Sequence, residues 1–296
     1  MPSRSPTRVA LRGVLIGVAF LIALLVVWEG AKALGGDPWR FKDAAGQEAT
    51  YTPPFKWSIV DDLSLPHVWE VVDALAAPVQ RQQQQSLAEF LVSAAIYTGR
   101  EAALGFLFGG LIGLGLAAIF VHSRLAQRAF MPYIVASQTI PILALAPLIC
   151  LAFGNGLVGI VIVASYLTFF PVTIAALRGL RAADARAFEL MRSYAADRRQ
   201  VLWKLRLPTS VPYLFTALRV AAASAVIGAI IGELPSGIPD GLGSALLNYN
   251  QYYSQAPERL WATIVMCSAL GLTFVGLIRL AENRLTRGRY RPATSS

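Results

Sequence analysis

The 296-residue chain is 55% hydrophobic and only 15% charged, with a mean hydropathy of +0.54. Soluble domains carry about 25% charged residues and disordered chains need low hydrophobicity, so both classes are excluded. The formal net charge of +9 comes without a basic surface interleaved with aromatics, which excludes nucleic-acid binding, and the positive charge sits beside apolar runs instead.

In chain order, six apolar runs match the thickness of a bilayer. They are Val9–Trp28, Ala102–Val121, Ala129–Phe153, Leu157–Leu177, Val211–Gly232 and Leu260–Ile278. They are continuously apolar with no alternation of period two, so the expected spans are helices rather than barrel strands. The expected fold is an all-α polytopic membrane protein with six transmembrane helices. The first run competes with a signal peptide, because Ala31-Lys32-Ala33 has the small residues of a cleavage site. Its apolar stretch from Val14 to Trp28 is long for a signal, so it is read as a retained anchor. Cys150 and Cys267 lie inside apolar runs and read as small packing residues, with neither a disulfide framework nor metal-ligand spacing.

Lys/Arg placement sets the topology. Arg4, Arg8 and Arg12, then Arg124 and Arg128, then eight residues from Arg178 to Arg206, and five from Arg279 to Arg291 fall on one side. These are 18 of the 26 basic residues, and Glu29–Glu89 carries nine acids against five bases. Both termini are expected in the cytoplasm. The chain then divides into 1–30 (tail and first helix), 31–93 (extracytoplasmic loop), 94–287 (core of five helices) and 288–296 (cytosolic tail). Pro53-Pro54 and the Gln82–Gln85 run suggest that the outer segment is an extended, solvated connector with one short amphipathic helix, Val68–Leu75.

No phosphate-binding GxxxxGK[ST] loop exists, so ATP hydrolysis is not assigned to this chain. His67 and His122 lie outside the spans and no carboxylate pair is expected within one, so no catalytic residue is assigned. Gly105, Gly109 and Gly113 form two GxxxG steps, and Ser224, Gly228 and Gly232 a looser small-residue version. Such spacing lets helix backbones approach closely, whether in a sliding or a static interface. Pro132, Pro141, Pro147 and Pro171 interrupt the third and fourth spans. The polar residues beside them, Gln138, Thr139 and Ser165, together with Pro141, Ser224 and Glu233, are the candidate path-lining set. The same polar groups equally suit interhelical hydrogen bonds.

The most informative stretch lies between spans four and five. Glu189 is followed by Leu190-Met191, then Arg192-Ser193-Tyr194, Ala195-Ala196-Asp197, Arg198-Arg199 and finally Leu207-Pro208. This looks like the EAA loop of ABC-importer permeases: Glu-Ala-Ala, three residues, Gly, and a downstream Leu-Pro. Here Ala195 takes the glycine position. Thr139-Ile140-Pro141, Ala146-Pro147, Gly232-Glu233 with Gly241-Leu242-Gly243, and Ser64-Leu65-Pro66 are similar to segments of the nitrate/sulfonate/taurine-type permeases.

The resemblance implies a type I ABC-importer-like five-helix core plus the N-terminal anchor, in the bacterial inner membrane. The coupling loop is 180–210, with Glu189, Arg192, Tyr194, Ala195, Ala196, Asp197, Arg198, Arg199, Leu207 and Pro208 as the ATPase-coupling residues. It also implies no cofactor or metal on this chain, with ATP and Mg handled by a partner ATPase. The other implied partners are a second permease copy in a homodimer, an extracytoplasmic binding protein and membrane lipid, with no nucleic acid. The substrate class is a small anion or vitamin precursor: nitrate, sulfonate, taurine or hydroxymethylpyrimidine. The alternative is a secondary transporter, which needs ionisable residues in the membrane, and only Arg219 and Glu233 approach that role.

Overall fold

Apolar runs of this length satisfy their backbone in lipid only as helices. The structure, a computed structural model, folds them so and describes residues 6–42, 48–79 and 85–286. Arg4, Gln82–Gln84, Arg287, Arg289, Arg291 and the 288–296 tail lie outside the described residues.

The helices are α1 (Pro6–Gly35), α2 (Val68–Ala76), α3 (Leu87–His122), α4 (Arg124–Ser137), α5 (Ile142–Phe153), α6 (Leu157–Arg181) and α7 (Ala185–Ser193). They continue with α8 (Arg198–Val201), a π turn at Leu202–Arg206, α9 (Leu207–Glu233), α10 (Leu242–Gln251) and α11 (Pro257–Thr286). Among the described residues, five helical stretches are long and apolar enough to cross a membrane: 15–35, α3, α6, the continuous Arg198–Glu233 and α11. The number is six if α4 and α5 together form one span.

That third span differs from the single run expected over Ala129–Phe153. α4 and α5 meet at 101° across residues 138–141. Pro141 has an extended backbone and opens α5, while Gln138 and Thr139 close α4 with turn bonds to Val135 and Ala136. A proline lacks the amide that would continue the ladder and pushes its predecessor out of the helical region. Pro132, Pro147 and Pro171 lie inside α4, α5 and α6 without ending them.

The chain forms two compact units, one of residues 1–88 with 248–262, the other of 89–247 with 263–296. In the first, residues 37–42 and 48–67 are more built than the extended connector expected. An antiparallel ladder pairs β1 (Trp39–Lys42) with β2 (Glu48–Tyr51), Trp39 opposite Tyr51. One face of α1 reaches this segment three times. Trp28 Nε1 donates to the Pro66 carbonyl (3.0 Å), Glu29 accepts from Val68 N–H and meets His67 Nδ1 (2.8 Å each), and Lys32 Nζ donates to Asp62 (2.5 Å) and the Leu65 carbonyl (2.6 Å). Lys32 is fully buried. His67 stacks on Trp69 at 3.9 Å, and Trp39 meets His67 edge-on at 4.7 Å. Carboxylates of Glu29 and Glu70 both accept amides at the start of α2, where the helix dipole favours negative charge. The Ser64 side chain and N–H hold the Asp61 carboxyl below the usual carboxylate range.

In the second unit α6 is the shared partner. It packs along α9 for most of its length, and a buried cluster joins Ala102 of α3, Ile160 and Ala164 of α6, and Ala225, Val226 and Ala229 of α9. A second cluster at the other end gathers Ala117, Phe120, Ile134, Ala176, Leu177 and Leu180.

Candidate functional site

The 184–208 segment is built by local capping. Asp184 caps the start of α7 by accepting the Arg186 N–H. The helix ends in a Schellman arrangement: Ala196 N–H donates to Met191 O (3.0 Å) and Ala195 N–H to Arg192 O (2.9 Å). This geometry puts Ala195 at φ +50°, the one non-glycine residue with positive φ among those described. Left-handed backbone costs an L-residue roughly 1–2 kcal/mol, which is the physical reason a glycine suits this position. Asp197 then opens α8 through a capping box with Gln200: the Asp197 carboxylate accepts the Gln200 N–H at 2.6 Å, and Gln200 Oε1 accepts the Asp197 N–H.

The result is a helix–turn–helix with one face outward and the other half-buried. Glu189, Arg192, Tyr194, Ala195, Asp197, Arg198, Arg199 and Pro208 are exposed, and Ala196 and Leu207 are half-buried. Leu190, Tyr194 and Trp203 present 57%, 76% and 69% of their surface, apolar area left uncovered among the described residues. The segment is anchored from behind by Arg206, which donates to the Leu180 carbonyl (3.1 Å) and lies 4.9 Å over the Phe188 ring.

The small-residue faces both meet α6. A Cβ at Gly109 would stand 2.6 Å from the Ser165 carbonyl oxygen, and one at Gly113 2.7 Å from that of Phe169. Gly105 faces Ala164. From the other side, Gly228 lies against the Cα of Ala164 and Gly232 against that of Ile160. Backbones therefore approach α6 from both α3 and α9.

Glu233, at the end of α9, sits in a nook that explains the spacing of Gly241 and Gly243. Its side chain is buried, accepts the Thr98 hydroxyl (2.6 Å) and the Gly243 N–H (2.5 Å), and faces the start of α10. Thr98 Oγ1 in turn accepts the Leu242 N–H at 2.9 Å. A side chain at Gly241 would run into the carboxylate, and one at Gly243 would meet Glu233 Cβ at 2.8 Å.

One turn beyond Thr98, Glu101 is also buried and neighbours Glu233. The pair is formed by two different spans, and it corrects the expectation that only Arg219 and Glu233 approach an ionisable role in the membrane. Glu101 lies just before the uncharged run Ala102–Val121, so a count of uncharged residues passes over it. Its spacing of three from Thr98, on the face that continues to Gly105, was the available signal. No ion pair to either acid occurs among the described residues. Arg219 lies 3.7 Å from Glu282 on α11.

The six path-lining candidates fall in separate places. Gln138, Thr139 and Pro141 cluster at the α4–α5 bend, where Gln138 Nε2 is buried without a hydrogen-bond partner among the described residues. Ser165 edges an apolar groove of about 620 Å³ between α3 and α6. The neighbouring Tyr166 hydroxyl donates to the Ser137 carbonyl, tying this stretch to the bend. Ser224 is half-buried on α9, and Glu233 is closed in its nook. Cys150 and Cys267 are both free.

The sequence profile of the family described as "Binding-protein-dependent transport system inner membrane component" matches residues 109–287, more than half of the chain. The chain belongs to this family. Relatives of the transport component include an ABC transporter permease protein of Haemophilus influenzae, 33% identical over 54% of this chain and 69% of its own length. The formylaminopyrimidine transport permease ThiX of Halalkalibacterium halodurans is 36% identical over 42% of this chain, which spans about half (50%) of that relative. The SsuC permease of Bacillus subtilis, named for aliphatic sulfonates, is 27% identical over 79% of this chain and 83% of its own. A chain of the MetNI methionine ABC transporter shares the fold, with a TM-score of 0.58, 20% identity, and coverage of 68% of this chain and 97% of that one. The fold of this transport component is thus that of type I ABC importers.

Proposed function

We propose that the chain is the permease subunit of an ATP-driven importer, lining the substrate pathway and coupling it to cytosolic ATPases through residues 184–208. The carrying observation is the exposed helix–turn–helix with small residues at its tip, Tyr194 and Trp203 uncovered, and a rigid cap on each side. A short helix with an apolar and a charged face suits docking into a groove of a soluble partner. ATP and Mg belong to the partner, and closure of two such partners would pull together the segments of two permease copies in a homodimer. An extracytoplasmic binding protein would deliver the substrate. The Lys/Arg asymmetry favours cytoplasmic termini in an inner membrane. Relatives named for formylaminopyrimidine, aliphatic sulfonates and taurine support a small anion or a pyrimidine-type vitamin precursor as substrate.

Ala195→Trp tests the segment, because bulk at the tip blocks a close groove whereas charge at the exposed rim is worth only about 0.2–1 kcal/mol. The expected outcome is loss of ATPase co-purification, or hydrolysis without uptake, with Arg198→Ala nearly silent. A folded Ala195→Trp protein that keeps its ATPase and transports normally rejects the docking assignment.

A second reading, secondary transport, is favoured by one observation, the buried Glu101–Glu233 neighbours, since membrane acids commonly carry coupling ions. Uptake into vesicles separates the two. Dependence on ATP with indifference to a collapsed proton gradient supports the importer, and the reverse supports the alternative.

A further inference from the structure

Four arginines converge on one cavity of about 500 Å³ in the helical unit: Arg124 and Arg128 of α4, Arg181 at the end of α6, and Arg206 before α9. Val121, Gln127 and Phe188 complete its lining. No Asp or Glu lines it, and none of the four joins an ion pair among the described residues. Two of the guanidinium groups are held in place. Arg181 Nη2 donates to Gln127 Oε1 at 2.6 Å, and Arg206 donates to the Leu180 carbonyl. Arg124 and Arg128 make no side-chain hydrogen bond within the described residues, so their donors remain available. Arg124, Arg128 and Arg181 are exposed, so water screens part of their repulsion, and an anion seated among the four would offset the rest.

The level of the cavity narrows the choice. α3 ends at His122, α4 begins at Arg124, α6 ends at Arg181 and α9 begins at Leu207, so the cavity lies where the spans end. That is headgroup depth. A second cavity of about 240 Å³ shares Gln127 and Arg181 with the first, carries Arg178 at its rim, and is otherwise walled by Met131, Ile174 and Leu177. A free phosphate has no use for this apolar extension, whereas an acyl chain does. We propose that the paired cavities bind an anionic phospholipid, its phosphate among the four arginines and the start of a chain against Met131, Ile174 and Leu177. Basic pockets between membrane helices on the cytoplasmic side are known places for such headgroups. Assignment to the inner leaflet rests on the topology proposed above, and the binding itself does not.

The test is native mass spectrometry of the purified full chain titrated with phosphatidylglycerol. Wild type should retain phosphatidylglycerol where phosphatidylcholine gives no adduct, and millimolar inorganic phosphate should not displace it. Arg124→Gln with Arg128→Gln should weaken binding about thirtyfold. Met131→Trp, which fills the apolar cavity and leaves the arginines, should weaken it as well and keeps the test decisive if the double variant is poorly folded. Equal binding of phosphatidylcholine, or full binding by both folded variants, overturns the proposal. Displacement by inorganic phosphate assigns the arginines to a free anion and overturns it too. So does loss of ATPase co-purification in the double variant with phosphatidylglycerol retained, which makes the cavity a protein-docking surface. Because lipid binding is read without an ATPase, its failure leaves the importer reading standing, and the reverse holds equally.

Discussion

The two units of this chain hold themselves together by opposite means. In the unit of α1 and the segment leading to α2, long polar and aromatic side chains reach across 30 to 39 positions in sequence: Lys32 to Asp62, Glu29 to His67 and Val68, Trp28 to Pro66. In the helical unit the decisive side chains are missing ones, the glycines of α3 and α9 that bring two backbones onto α6. In the first case satisfied charges and stacked rings hold the segment. In lipid, apolar burial gives little preference for helix over acyl chain, and closeness of fit has to supply it.

The largest test of this contrast is Gly109→Val. A Cβ there meets backbone, which cannot swing aside, and overpacking costs about 1–3 kcal/mol or more. Folded yield and melting temperature should fall sharply, while Gly110→Val next door, with nothing within 4 Å, should leave both unchanged. A tolerated Gly109→Val would mean that α3 and α6 separate freely.

Lys32→Met comes next, at about 2–3 kcal/mol. Removing one member of a buried pair costs about 3–5 kcal/mol, but the Asp62 side chain is 47% exposed and water takes up part of the loss. Thermal unfolding of the purified protein measures it. A silent change would show that the segment leading to α2 is held by its aromatic contacts alone.

Thr98→Val sharpens the contrast, since Thr98 is a polar tie inside the unit governed by small residues. It removes the donor to Glu233 and the acceptor of the Leu242 N–H, about 1–3 kcal/mol. Glu233→Gln, by comparison, should preserve assembly and impair uptake, because an amide NH₂ would oppose either the Thr98 hydroxyl or the Gly243 N–H. Normal uptake by Glu233→Gln would reduce the nook to packing.

The smallest effect is a gain. Ala195→Gly relieves the left-handed strain at the tip of the 184–208 segment while adding unfolded-chain entropy, for a net of about 0.5–1 kcal/mol. Slower amide exchange at Ala196, whose N–H closes the Schellman turn, would register it, and no change would mean that the turn opens without passing through this residue.

The membrane spans were legible because a long uncharged run admits only one backbone solution. The Glu189 to Pro208 pattern was legible because caps and turns are local, written in residues a few positions apart. The α4–α5 bend was not. Four prolines all threatened a kink, and only Pro141, preceded by residues that turn back on α4, broke the helix. Glu101 was missed because its partner lies 132 positions away on another helix. The folded segment between α1 and α2 was missed for the same reason. Its acids, His67 and tryptophans look like a solvated connector until α1 is laid against them, and sequence alone offers no register for that pairing.

The π turn at Leu202–Arg206 lies within an otherwise continuous helix from Arg198 to Glu233. One residue in a helix corresponds to a rotation of about 100° about its axis. The wide turn therefore sets the azimuth at which α8 leaves α9, directing Trp203 outward while Arg206 reaches back to the Leu180 carbonyl. If the 184–208 segment docks a partner as proposed, a grip at Ala195 would hold the short arm of a crank whose shaft runs through to Glu233, and a small twist at one end would arrive at the other as a change of phase rather than of distance.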